Sequence, residues 1–373
     1  MGGLGDLLEL LHTATSRCRT IRACIHDWTH VERSARAAQA HAETTGTGWT
    51  AYGPPGDDPP PELIEATTHV WLARPRGLRF EREHPDGTRW MEVDDGERRW
   101  NWAPGYPATV GESRPGSIYY GFEHLFDPGL LLGRLTLEPG GEAAWAGRDG
   151  YRVRAVDRSV EWHGPPHLPE GADERELLVD AERGIVLRLA SLFEGEEFAV
   201  SELVAVAFDE DFPPETFALS VPDGTEVVDM EASPPPRHEL VTVEEAQRRL
   251  PFTVLVPRRV PDRSVLRVHL MPGDERLKLA PAAALVYEVE NGTHTLSIRE
   301  SAETRRVPRR GGEQIVENGQ ELQLWETYGR RQVGLERGGT QVLVDSDLDR
   351  DTLLEIARSL APAPEEPPRL VDA

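Results

Sequence analysis

Between Glu65 and Trp102 the chain passes through four strand-length stretches, each cut from the next by a turn too short for anything but an antiparallel neighbour. Glu65 to Leu72 and Gly77 to Glu83 are separated by Arg-Pro-Arg, and Thr88 to Val93 and Arg98 to Trp102 by a connection opening Asp94-Asp95-Gly96. Asp-Gly between alternating runs is a strong short-range hairpin signal. The segment is therefore committed to a meander, and whatever else folds here must pack on an antiparallel sheet.

The rest of the chain extends that sheet. Leu4, Leu7, Leu8 and Leu11 recur at helical spacing and predict a short amphipathic helix that must lie on another element. Residues 21–31 are ambiguous, since Ile21, Ile25, Trp28 and Val31 continue a helical rhythm while Ile21, Ala23 and Ile25 alternate like a strand. Ala42 to Pro61 reads as an exposed loop. Gly121 to Leu135 predicts an apolar helix broken by Asp127-Pro-Gly. Strands resume at Gly150 to Val156, Glu176 to Asp180, Gly184 to Leu192 and Glu197 to Phe208.

At 373 residues, two cores are the first expectation. Pro222 to His238, with Pro234-Pro-Pro, suits a linker. The predicted organisation is a first domain at 1–222, a linker at 223–239, a smaller α+β domain at 240–361 and a disordered Pro/Glu tail at 362–373. In the second domain Thr242-Val-Glu-Glu245 is a capping box, Pro251 stops its helix and Phe252 to Val256 can run as a strand. Asn291-Gly292 joins a hairpin, strands follow at Glu321 to Tyr328, Gln332 to Leu335 and Thr340 to Val344, and Asp349 caps a last helix to Leu360. The fold class is mainly β with α+β character.

A formal charge of −24 repels a phosphate backbone and anionic membrane surfaces, so nucleic acid is not expected as a partner. The first residues have no basic region and acidic residues interrupt their apolar stretch, so no signal peptide is read. No window has the uninterrupted apolar length of a membrane-spanning helix. As written, the chain is expected in the cytoplasm.

Motifs for catalysis are weak. His163 and His167 follow Glu161, but Gly164-Pro-Pro breaks any helix that would align them on a metal. Asp345, Asp347, Asp349 and Asp351 imitate a calcium loop, with Arg350 where Gly is needed and Ile356 where Glu is needed. Ser113 lies in a Pro/Gly loop rather than at a strand-to-helix elbow, and Asp94 and Asp95 occupy a turn. Cys18 and Cys24 lack the spacing of a zinc or redox pair and read as small buried hydrophobes. With no phosphate loop or dinucleotide fingerprint, the chain is expected to be no enzyme and to carry no cofactor. What stands out is aromatic density on successive strands at Trp71, Phe80, Trp90, Trp100 and Trp102, which reads either as sheet core or as the wall of a cavity.

The first domain resembles the fold family of the LolA lipoprotein carriers and RseB-type regulators. The resemblance is carried by the helix followed by Ile21 to Trp28, Arg74-Pro-Arg-Gly-Leu-Arg-Phe-Glu81, Asp95-Gly-Glu-Arg-Arg-Trp100, Gly147-Arg-Asp-Gly-Tyr-Arg-Val153 and Leu178-Val-Asp-Ala-Glu-Arg-Gly184. It implies an open antiparallel half-barrel covered by a helical lid, with Ile21 onward as first strand and Phe122 to Leu132 in the lid. The second domain resembles an uncharacterised module at the C-termini of bacterial envelope proteins, through Glu244-Glu-Ala246, Phe252-Thr-Val-Leu-Val-Pro257, Leu285-Val-Tyr287 and Ile356-Ala-Arg-Ser-Leu360. A resemblance of this kind also implies the cell envelope if the start is truncated. The function it implies is non-catalytic binding of an apolar, acyl-chain or lipid-like ligand on the concave face. The strand aromatics named above would line that space. So would Phe122, Phe126, Leu131, Tyr151, Leu187, Leu189 and Phe198. The alternative is a regulatory module that binds a protein partner.

Overall fold

The computed structural model describes residues 3–45, 62–75, 77–84, 87–113, 121–158, 168–261, 264–289, 294–302, 313–317, 320–327 and 330–363. These form two compact units, one ending at Ser233 and one starting at Pro234. His163, His167, the Asn291-Gly292 turn and most of the expected tail lie outside the described residues.

The first unit is built of α1 (Leu4–Thr13), β1 (Thr20–His30), α2 (Val31–Thr45), β2 (Leu63–Ala73), β3 (Gly77–Glu83), β4 (Arg89–Asp94), β5 (Arg98–Trp102) and β6 (Ala108–Glu112). It continues with α3 (Glu123–Phe126), α4 (Gly129–Leu132), β7 (Leu135–Trp145), β8 (Arg148–Asp157), β9 (Glu174–Asp180), β10 (Val186–Phe193), β11 (Glu196–Phe208) and β12 (Val227–Asp229). One open sheet runs β12-β6-β5-β4-β3-β2-β1-β11-β10-β9-β8-β7. The first strand is thus central: β1 pairs antiparallel with β2 on one side and β11 on the other. The alternation of Ile21, Ala23 and Ile25 wins over the helical rhythm because those side chains share one buried face.

Three expectations are corrected here. The apolar stripe of α1 is Leu7, Leu10 and Leu11, which are buried together with Ala14 just past its end, while Leu4 and Leu8 are exposed. Residues expected as loop from Ala42 end a helix, α2, whose alanines favour that state and whose Ala37 is fully buried. Within the stretch expected as linker, Val227–Asp229 pairs in parallel with β6, because the chain returns along that sheet edge.

Pairing registers divide the sheet into two faces. Ile21, Ala23, Ile25, Val70, Phe80, Val153, Leu177, Leu189 and Leu203 point to the face that α1, α3 and α4 cover. The broken lid follows from Asp127-Pro-Gly, where the chain leaves α3 and restarts as α4. On the far side of the core, Asp180 closes the turn into β10 by accepting hydrogen bonds from the Glu182 and Arg183 amides. Gly184 completes it at φ 75°, where a Cβ would stand 2.4 Å from the Leu10 carbonyl oxygen of α1.

The second unit contains β13 (Glu239–Val241), α5 (Val243–Arg249), β14 (Leu255–Pro257), β15 (Val265–Met271), β16 (Ala282–Val289), β17 (His294–Ser301) and β18 (Glu313–Glu317). After these come β19 (Gln320–Thr327), β20 (Arg330–Arg337), β21 (Thr340–Ser346), α6 (Arg350–Ser359) and β22 (Leu360–Pro362). An eight-stranded sheet runs β13-β15-β16-β17-β21-β20-β19-β18, and β14 pairs with β22. Thr242 caps α5 by accepting from the Glu245 amide, and Asp349 caps α6 by accepting from that of Thr352. Of the expected Phe252 to Val256 strand only Leu255 and Val256 pair, and the pairing runs on to Pro257, since Phe252 and Val254 are buried in the core instead.

Candidate binding site beneath the lid

The lid meets the sheet through aromatic edges. Phe122 packs on Phe80 with ring centres 5.4 Å apart, Phe80 on Trp90 at 5.0 Å, and Phe122 on Phe126 at 6.2 Å, each tilted by more than 70°. Phe80, Phe122, Phe126, Leu131, Leu187 and Leu189 are all buried in one core cluster, with Trp90 and Tyr151 packed at its margin. The centre of the covered face is therefore filled by side chains that touch one another, and the lid lies closed on it.

The other expected residues stand elsewhere. Trp71, Trp100 and Trp102 point to the opposite face, because Trp71 opposes Arg79, Arg79 opposes Val93, and Val93 opposes Trp100. There the Arg79 guanidinium lies 5.7 Å from the Trp71 ring centre and bonds Glu81, which also pairs with Arg89. Trp100 borders an open groove of about 530 Å³ with Phe217, Val221 and Val227. Phe198 packs with Ala37 of α2 in a small separate cluster.

The space that does remain under the lid is a cavity of about 200 Å³ beside Phe122, and its wall is partly polar. Leu168, Leu189 and Phe122 give it an apolar side; Asp27, Arg82, His124, Ser191 and Ser201 give it a polar one. Asp27, Ser191 and Ser201 are on β1, β10 and β11 in phase with the buried apolar residues, so the pleat itself turns them inward. Ser201 donates its hydroxyl to Asp27 Oδ1 at 2.6 Å, and an Arg82 guanidinium nitrogen is 3.6 Å from Asp27 Oδ2. Burial raises the Asp27 carboxyl above the usual range against these two partners.

Behind this wall Arg175, with no exposed surface, donates to both Asp157 oxygens at 2.9 Å, to the Pro169 carbonyl at 2.8 Å and to the Ser191 hydroxyl. Arg134 shares Asp157 at 3.1 Å. His124 is pushed down to about 3 by burial and by the neighbouring Arg175 and Arg134 charges, which holds its imidazole neutral. The aromatic pattern does not pick out Asp27, Arg82, His124, Arg175, Ser191 or Ser201. A signal for several of them was present: a polar residue standing in the apolar phase of an alternating strand, as Asp27 does after Ile21, Ala23 and Ile25.

The residues read as weak chemical motifs have structural work. Asp94 accepts from the Gly96 amide and from Ser113 Oγ, and Asp95 from the Glu97 and Arg98 amides, which builds the β4–β5 turn. Cys18 is buried, Cys24 half-buried, and both are free thiols. Among the described residues no group of His, Cys, Asp or Glu is placed to hold a metal ion, and no helix is long and apolar enough to cross a membrane.

Neither a protein-family model nor a curated protein sequence matches this chain. Solved structures do. The complex of Pseudomonas aeruginosa MucA and MucB aligns over 96% of this chain and 98% of the other at 16% identity, with a TM-score of 0.36. A LolA superfamily protein from Nitrosomonas europaea aligns over 59% of this chain and 99% of its own at 9% identity, TM-score 0.26. A putative outer membrane lipoprotein-sorting protein domain from Vibrio parahaemolyticus aligns over 57% and 95% at 8% identity, TM-score 0.24. The last two bear the name of the carrier group that the sequence of the first unit resembles, and at such scores the likeness carries nothing about chemistry.

Proposed function

We propose that the first unit is a non-catalytic binding module that takes an apolar or amphipathic ligand between the covered face of its sheet and the two-piece lid. The observation that carries this reading is the cavity beside Phe122, where the lid helix, the sheet and the Leu168 loop leave space that side chains do not fill. Its volume of about 200 Å³ is below the roughly 300–1,000 Å³ of ordinary small-molecule sites, so a longer acyl chain enters only as α3 and α4 swing away. Displaced contacts between Phe122, Phe80 and Phe126 are then replaced by contacts with the chain, at roughly 0.8 kcal/mol per buried methylene, which gives an exchangeable rather than a permanent ligand.

Native mass spectrometry of the protein from its own host, before and after organic extraction, tests this directly. An extractable adduct of lipid mass is the expected result. A clean mass equal to that of the chain, together with a stoichiometric protein partner surviving moderate salt, would replace it with the second reading.

That second reading is a regulatory interaction module, and one feature favours it. The face of the second unit's sheet turned away from its core exposes Leu240 and Val265, at 69% and 56% of their surface. Apolar side chains on an uncovered sheet face suit a protein surface better than water.

A further inference from the structure

Resting on the reading of the lid cavity as a ligand site, we propose that it selects a neutral, hydroxyl-headed aliphatic molecule over an ion of either sign, with the hydroxyl between Arg82 and Asp27 and the short chain against Phe122, Leu168 and Leu189. The argument begins with how two opposite charges come to share one wall. Asp27 on β1 is in register with Ala66 on β2, and Arg82 on β3 with Thr68 on β2, so only two small side chains stand between the strands that carry them. Guanidinium and carboxylate meet at 3.6 Å, inside the range of an ion pair and beyond that of a hydrogen bond. The charges cancel, while the Arg82 N–H groups and Asp27 Oδ2 do not satisfy one another.

The rest of the polar wall adds hydrogen-bonding groups and no charge. Arg175 is paired with both Asp157 oxygens behind the wall, and it reaches the cavity only through the Ser191 hydroxyl that accepts from it. Ser201 directs its proton to Asp27 Oδ1, and the His124 imidazole is neutral. An ion of either sign added to such a wall is a buried charge without a counter-charge of its own, and that is costlier than an uncharged head group. A hydroxyl is donor and acceptor at once: it accepts from Arg82 and donates to Asp27 Oδ2, closing the gap that the ion pair leaves. An ether of the same size can only accept. The volume of about 200 Å³ sets the length, since it admits a short chain while the lid stays closed.

The test is calorimetric titration of the full chain with hexanol, its isomer pentyl methyl ether, hexanoate and hexylamine, repeated on Arg82→Gln and on Asp27→Asn. Hexanol is expected to bind at least about tenfold more tightly than either ion and several-fold more tightly than the ether. Each variant removes one of the two balancing charges, so Arg82→Gln should transfer the preference to hexylamine and Asp27→Asn to hexanoate. A plain apolar pocket would also rank the alcohol above the ions, but it would not distinguish alcohol from ether, nor change its ranking in the variants. That pattern overturns the assignment and leaves the apolar-ligand reading standing. An ion as the tightest ligand of the unaltered chain overturns it too, because the wall would then carry a net charge. Failure of all four probes discards it, and the native mass spectrum decides the broader reading separately. Should the variants not fold, hexanol binding no tighter than the ether is sufficient to reject the proposal.

Discussion

The two faces of the first unit's sheet carry comparable aromatic content and use it in opposite ways. On the covered face Phe80 is surrounded by Trp90 and Phe122, and almost none of its surface is exposed. One residue out of phase, across the same β2–β3 pairing, Trp71 and Arg79 stack half-buried at the open face. Carboxylates follow the same division. Glu92 on the covered face is pushed up to about 7, chiefly by burial, although Arg99 and Asn101 favour its charged form. Asp229, at the edge strand, is held down to about 2 by the Ala232 and Glu231 amides and by Arg98. What the contrast teaches is that the pleat decides which neighbours an aromatic or a carboxylate here meets, the lid on one face and the Pro214–Ala218 segment with its open groove on the other.

The sharpest way to break that comparison is to truncate one aromatic on each face. Phe80→Ala should lower the unfolding free energy of the first unit by about 3–5 kcal/mol, the usual cost of removing a fully buried phenyl ring. Trp71→Ala, although it deletes a larger ring, should cost only about 1–2 kcal/mol, since part of its surface and its cation partner already face solvent. Urea titrations of both variants decide it. Equal costs would mean that the open face is buried in the working protein.

A second prediction uses the carboxylates. Because Glu92 binds its proton more tightly folded than unfolded, its stabilising contribution is complete below about 4.5 and is lost as pH rises through about 7. The shift corresponds to at most about 3 kcal/mol. Glu300 of the second unit behaves alike with a later end-point. Buried on β17, its oxygens accept from the Leu255 amide at 3.1 Å, and burial raises it to about 8. The stability difference between the wild type and Glu92→Gln, in which the opposite contribution of His124 cancels, should therefore fall as pH rises from about 4.5 to about 7, and that between the wild type and Glu300→Gln from about 4.5 to about 8. A difference that rises with pH would show the carboxylate to be ionised and paired.

Much of this fold was legible in the chain. The Asp94-Asp95-Gly96 turn, the break at Asp127-Pro-Gly and the caps at Thr242 and Asp349 are local signals, and each is satisfied by hydrogen bonds or dihedrals within a few residues. The candidate site was less legible. Counting aromatics on successive strands gathers Trp71, Trp100 and Trp102 with Phe80, although face depends on register across three pairings that no single strand reveals. Arg82 and His124 are harder still. The first is brought to Asp27 by pairing between distant strands, and the second sits on a four-residue helix whose orientation is fixed only by what Phe122 and Leu125 bury.

The smallest expected effect sharpens the comparison most. Trp100 shares the open face with Trp71, opposes Val93 and Val110, and borders the groove near Phe217. Trp100→Asp should leave the β4–β5 hairpin folded and cost about 1 kcal/mol, since the new carboxylate reaches water through the open groove and is never stranded in a core. The same change at Phe80 would bury an unpaired charge and unfold the unit. Far-UV dichroism and the midpoint of thermal unfolding distinguish the two cases. If Trp100→Asp unfolds the protein, then the groove is closed in solution, and the division between a packed face and an open one fails at the position where it is most exposed to test.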